Sequence, residues 1–101
     1  MAPHSWKRTG RNSYICELGN GSLSMQYHEY YAKLVFMEYG KAGHEIHVTY
    51  DYDTQEISVL IRGTKGLEGI AAQVHGIGTE GLETKREKDL SASLLSMLLQ
   101  D

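Results

Sequence analysis

The sequence predicts an α+β domain: an antiparallel β-hairpin meander of about four strands, with a short helix and a C-terminal amphipathic helix packed on the sheet. Three observations carry this expectation. Asn20-Gly21 separates two runs in which apolar residues alternate with polar ones. Two further turn candidates, Gly40-Lys41-Ala42-Gly43 and Asp53-Thr54, divide the middle of the chain into short alternating segments. Thr84-Lys85-Arg86-Glu87 matches a capping box and opens a leucine-rich run at helical spacing.

Taken from the N-terminus, residues 1–11 carry Lys7, Arg8 and Arg11 and no acid. They read as a basic flexible arm, and residues 12–101 as one domain. Asn-Gly favours a two-residue type I′ turn because both central residues need positive φ. A turn at 20–21 pairs Leu18 with Leu23, Cys16 with Met25 and Tyr14 with Tyr27, gathering six apolar side chains on one face. Glu17, Ser24, Gln26 and His28 fall on the other face, with Ile15 the exception.

Residues 22–39 contain no turn signal and read as one long bent strand, with a bulge near His28-Glu29. The rival is a helix from about Met25 to Tyr39, capped by Ser24 and ended by Gly40, and the mixed apolar run 30–37 does not resolve the two by periodicity. The hairpin at 40–43 pairs Met37 with Ile46, Val35 with Val48 and Tyr31 with Tyr52. The hairpin at 53–54 pairs Tyr50 with Ile57, Val48 with Val59 and Ile46 with Ile61, and sets Glu45 opposite Arg62. In that register Leu34 and Phe36 point to a second face beside His47 and Leu60, an apolar patch that needs a cover.

Leu67, Ile70, Ala71 and Val74 suit a short helix over 67–75, ended by Gly76. Gly63–Glu68 and Gly78–Glu83 resemble each other, but over too short a span to form a structural repeat. In the final helix, about 85–100, Leu90, Leu94, Met97 and Leu98 make one stripe, and Ala92, Leu95 and Leu99 a second. A helix on a small sheet buries one stripe, so the second, Leu95, Leu99 and Ala92, either makes a homodimer contact or wraps into the chain's own concave sheet; the homodimer is the expectation taken forward.

Composition limits the function classes. Cys16 is the sole cysteine, so no internal disulfide forms, which fits a reducing, cytoplasmic setting. The longest apolar runs, Leu34–Met37 and Met97–Leu99, are far below the ~20 residues that span a bilayer, and no signal-peptide pattern opens the chain. The net charge of −3 is uneven: residues 12–61 hold seven acids against Lys33 and Lys41, so the strands repel phosphate.

Candidate chemistry is sparse. His44 and His47, three apart on a strand, point to opposite faces, and His4, His28 and His75 are isolated, so no metal site is expected. Asp51-Tyr52-Asp53-Thr54-Gln55 begins like an EF-hand loop, but Glu56 occupies the position that needs glycine, and a polar hairpin tip is the better reading. Cys16 lies on the core face away from His28, which argues for an inert thiol and against a nucleophile. The glycines of 63–81 lack the spacing of a phosphate-binding loop. No catalytic residue and no cofactor is expected.

These features favour a small non-enzymatic interaction protein of the inhibitor, immunity or anti-defence regulator type. It would bind a macromolecule, preferably a protein, through Leu34, Phe36, His47, Leu60, Tyr30, Glu38 and Glu45. Two rivals remain. A nucleic-acid binder would use Trp6, Lys7, Arg8 and Arg11 with tyrosines as a stacking platform. A small-molecule or nucleotide binder would place Tyr50, Tyr52, His47 and Arg62 in a pocket between sheet and helices.

Overall fold

The structure is a computed structural model and describes residues 4–40, 43–63 and 70–99. Six strands run β1 (Lys7–Gly10), β2 (Ser13–Glu17), β3 (Gly21–Tyr27), β4 (Tyr31–Glu38), β5 (Glu45–Asp51) and β6 (Ile57–Arg62). Two helices follow, α1 (Ile70–Val74) and α2 (Lys85–Leu99). The strands form one open antiparallel sheet in sequence order, so every connection joins neighbours. The α+β class, the antiparallel meander and the C-terminal helix are as the sequence predicts; the sheet has six strands where about four were expected.

The two additional strands have separate origins. Residues 7–10, assigned by the sequence to a flexible arm, pair with β2 as β1. The segment 22–39 is not one strand but two, closed by a tight turn in which His28 N–H donates to the Tyr31 carbonyl at 2.8 Å. Glu29-Tyr30 carries no turn chemistry. The His28 and Tyr31 rings stack across the turn, their centroids 4.4 Å apart.

Register differs at two of the three expected hairpins. The first turns on Gly19-Asn20, with Leu18 N–H donating to the Gly21 carbonyl at 2.9 Å, so Cys16 faces Leu23 and Tyr14 faces Met25. This is a shift of two residues, and the apolar face is preserved. The hairpin after β4 shifts by one: Phe36 faces Ile46 and Leu34 faces Val48. A one-residue shift exchanges the faces, so Leu34 and Phe36 enter the core while Tyr31, Val35 and Met37 face outward. Gly40 and Gly43 flank this loop with φ of 76° and 81°, both in the left-handed region that glycine tolerates; Lys41 and Ala42 lie outside the described residues. The third hairpin has the expected register throughout. Its tip is a polar Asx turn in which Asp51 Oδ1 accepts from the N–H groups of Asp53 and Thr54.

One face of the sheet forms the core. Tyr14, Cys16, Leu23, Met25, Leu34, Phe36, Ile46 and Val48 are buried beneath Leu94, Leu95 and Leu98 of α2, which lies across β4 and β5. Leu95, expected at a dimer contact, therefore belongs to the chain's own core, while Ala92 and Leu99 remain exposed. The buried stripe of α2 is Ser91, Leu94, Leu95 and Leu98, midway between the two stripes read from the sequence. Of the helix expected over 67–75, residues 70–74 are helical, and 67–69 lie outside the described residues, as does most of Gly63–Glu68.

The capping box forms as predicted. Glu87 N–H donates to Thr84 Oγ1 at 3.1 Å, and Glu87 Oε1 accepts from Thr84 N–H at 2.9 Å and Glu83 N–H at 3.1 Å. The Tyr14 hydroxyl adds a third donor to the same oxygen at 3.1 Å. Burial opposes the ionisation of Glu87, but the backbone donors and Tyr14 outweigh it and hold its pKa below the usual value. Glu87→Gln is expected to lower stability by about 1 kcal/mol near pH 7, the ordinary cost of a weakened cap. The depressed pKa fixes the sign: the stabilisation by Glu87 is present above the unfolded-state carboxylate pKa and is lost as pH falls through the lower folded-state value. Denaturant titrations of wild type and variant should converge as the pH is taken through that range; a gap that persists would contradict this assignment.

Candidate interaction surface

The face opposite α2 is built by the same alternation that builds the core. Ile15, Ser24, Val35, His47 and Leu60 form one row across β2 to β6, since each is the cross-strand partner of the next. Ser22, Met37, Glu45 and Arg62 form a second row, and Gln26, Lys33, Thr49 and Ser58 a third. Both described helices pack on the other side or on each other, and this face exposes Tyr31, Met37 and Leu60, the last at 50%. Exposed Tyr30 and Tyr39 stand at its two ends, in the turns before and after β4.

Acids surround these side chains. Glu17, Glu45, Asp51 and Glu56 fall on the outer side by register. The Tyr39 hydroxyl donates to Glu17 Oε2, a bond that raises the tyrosine pKa and fixes the ring at the edge. Glu45 sits opposite Arg62 as predicted, but its Oε1 meets His47 Nε2 at 2.7 Å. Two shallow depressions mark the ends of the face. One, of about 410 Å³, is lined by Tyr31, Thr49, Asp51 and Ile57. The other, of about 430 Å³, is lined by Met37, Tyr39, His44 and Glu45.

The residues singled out from sequence separate into groups. His47, Leu60 and Glu45 lie on the outer face and Tyr30 at its end. Leu34 and Phe36 are core residues at 0% and 2% exposure, and Glu38 lies on the core side of β4 by register. Tyr50 is on the helix side, T-stacked on Tyr52, which in turn lies under the Arg86 guanidinium. His47 and Arg62 are on the opposite face, so these four residues line no common pocket. Trp6 is buried at 3%, its indole N–H donating to the Gly78 carbonyl at 2.9 Å, and is no stacking platform. Lys7, Arg8 and Arg11 are all exposed, and Arg8 is engaged by Glu83 and by the Arg11 carbonyl.

Elsewhere the polar groups serve the fold. Tyr27 OH donates to the Glu87 carbonyl at 3.1 Å and accepts from Ser91 at 2.6 Å, and burial pushes its pKa up to about 12. Burial raises the Cys16 thiol to about 11, with the nearby Glu17 charge adding to the effect, so it carries negligible thiolate at neutral pH. Among the described residues no three of His, Cys, Asp or Glu converge on a possible metal position, and no helix is long and apolar enough to cross a membrane. Comparison with protein-family models, curated proteins and solved structures gives no match.

Residues that sequence reasoning assigned to the core but that lie exposed are Tyr31 and Met37, through the register shift, and Ile57, Val59 and Ile61, whose register was read correctly. The last three point to the helix side but lie beyond its cover, at 36%, 41% and 42% exposure. The signal was present: β6 is at the end of the strand order, and an edge strand has a neighbour on one side only.

Proposed function

We propose that this chain is a small interaction protein that binds a protein partner through the outer face of its sheet, acting by occupancy in the manner of an inhibitor or immunity-type regulator. The observation that carries this reading is the face of β4, β5 and β6 that no described helix covers, where Tyr31, Met37 and Leu60 are exposed and bordered by Tyr30 and Tyr39. Aromatic residues and methionine are the types enriched at the centres of protein interfaces. The surrounding carboxylates define the partner's chemistry as an apolar surface rimmed by lysine and arginine, and they disfavour a phosphate backbone.

The test uses the full chain as bait in its native host. Tyr31→Ala combined with Met37→Asp alters two exposed side chains, and circular dichroism would verify that the fold persists. Wild type is expected to retain a protein with a basic contact surface, and the double variant to bind it at least about tenfold more weakly, the effect of losing a central contact. Retention of nucleic acid instead of protein, or equal retention of the partner by both baits, would overturn the reading.

A further inference from the structure

The two edges of the sheet differ in a way that bears on assembly. β1 is four residues long, carries Lys7 and Arg8, and pairs with β2 through a register irregularity between Arg8 and Gly10. Charge, shortness and a bulge are the devices that keep an edge from pairing. β6 has six residues in an unbroken register and carries its one charge at its last residue, Arg62: Ile57-Ser58-Val59-Leu60-Ile61 contains no charge and no proline, and all six residues of the strand are exposed. Its backbone is also oriented for a further strand. Asp51 N–H donates to the Glu56 carbonyl at 3.0 Å, so Glu56 is turned toward β5. By the alternation of an antiparallel ladder Ser58, Leu60 and Arg62 are turned the same way, and Ile57, Val59 and Ile61 direct their N–H and C=O groups to the edge that no described strand occupies.

We infer that a second copy of this chain occupies that edge, β6 pairing with β6 antiparallel about a twofold axis through Val59. In this register Val59 lies opposite Val59 of the second copy, and each Ile57 lies opposite an Ile61. The outward-directed groups of these residues then make six backbone hydrogen bonds, and their side chains join on the helix side as one apolar strip. The charges choose the register. Glu56 precedes β6 and Arg62 ends it, on the same outer side, and with Val59 on the axis each Glu56 falls opposite an Arg62. Sliding the pair by one step of two residues sets Glu56 against Leu60 or carries it past Arg62, and both ion pairs are lost. The arrangement is closed, because the second edge of each sheet is the guarded β1, so the product is a dimer with one continuous sheet and not a fibre. This assembly is independent of the partner proposed for the outer face: it uses the strand edge, whereas Tyr31 and Met37 lie on β4.

Sedimentation equilibrium at high micromolar concentration is expected to give twice the 11.3 kDa chain mass. Val59→Lys places like charges on the axis and should give a folded monomer. Glu56→Arg alone should weaken dimerisation by about tenfold, and adding Arg62→Glu to it should restore it, since the swap rebuilds both pairs. Register has its own readout. In a Cys16→Ser background, Val59→Cys should cross-link two chains on mild oxidation, because directly opposed residues are about 5.5 Å apart, within disulfide range. Ile61→Cys, equally exposed, should not. A monomer at every concentration, an assembly larger than two, or cross-linking through position 61 in preference to 59 would each overturn the inference.

Discussion

Replacing Gly81 by alanine is expected to destabilise the protein by about 4 kcal/mol, from two costs that act together. Gly81 has φ of +98°, where an L-residue pays about 1–2 kcal/mol. A Cβ there would also sit 2.1 Å from the Trp6 carbonyl oxygen and 2.9 Å from the Trp6 nitrogen, an overlap with backbone that no rotamer change relieves. The backbone cannot retreat cheaply, because this is where the chain's two halves are fastened. Trp6 N–H donates to the Glu80 carbonyl at 2.8 Å, its indole N–H to the Gly78 carbonyl, and its ring belongs to the same buried core as Leu82 and Val74. A loss of this size is a large share of the ~5–15 kcal/mol that holds a domain together, and for a chain of this length corresponds to roughly 20 °C in melting temperature. Gly76→Ala and Gly78→Ala are the controls: neither position meets an atom within 4 Å of a built Cβ, and both should melt close to wild type. A Gly81→Ala protein melting within a few degrees of wild type would refute the clasp.

That clasp shows where sequence reading stopped. Trp6 follows a short proline-containing start and precedes Lys7-Arg8, so composition places it in a solvated arm. Its burial depends on carbonyls more than seventy residues away, a contact that no local pattern encodes. What local chemistry could settle, it did settle: the capping box at Thr84–Glu87, the polar Asx tip at Asp51, and the β5–β6 register, where six alternating residues face six others. Where two signals competed, the weaker reading followed the apolar residues. In Tyr30–Met37 both faces of β4 carry large side chains, so alternation cannot say which face is inside. The five-residue excursion between Glu38 and His44 then decides it, through a loop whose length shifts the register by one.

The surface proposals inherit that decision. The sequence places Leu34 and Phe36 on an uncovered patch, but they are core residues; Tyr31 and Met37 take their place outside. The outer face exposes Tyr31, Met37 and Leu60 among polar side chains, where the sequence places Leu34 and Phe36. The dimer contact moves for a different reason. Leu95 of α2 is consumed by a sheet wider than four strands, while the added width leaves β6 outside the helix's reach. Surplus apolar surface was legible as a quantity; its position depended on the strand count.

Gly21 gives the second large effect and tests the register of the first hairpin directly. An Asn-Gly turn needs positive φ at Asn20 and Gly21, yet neither has it; the central turn residues are Gly19 and Asn20, and Gly21 is the first residue of β3. Its glycine is demanded by proximity. A Cβ on Gly21 would lie 2.5 Å from the Met37 carbonyl oxygen and 3.1 Å from Phe36 Cε1. It would therefore press on the strand next door and on the buried Phe36 ring at once. Gly21→Ala should cost about 3 kcal/mol, the upper part of the range for overpacking a tight site. Gly19→Ala should do the reverse: its φ is not positive and a Cβ there meets nothing within 4 Å, so the variant gains roughly 0.4–1 kcal/mol by restricting the unfolded chain. Opposite signs at positions two residues apart follow only if the turn is centred on 19–20. Were it centred on 20–21, Gly19 would be the last strand residue and Gly21 a turn residue in open space, and equilibrium denaturation of the two variants would not rank them in this order.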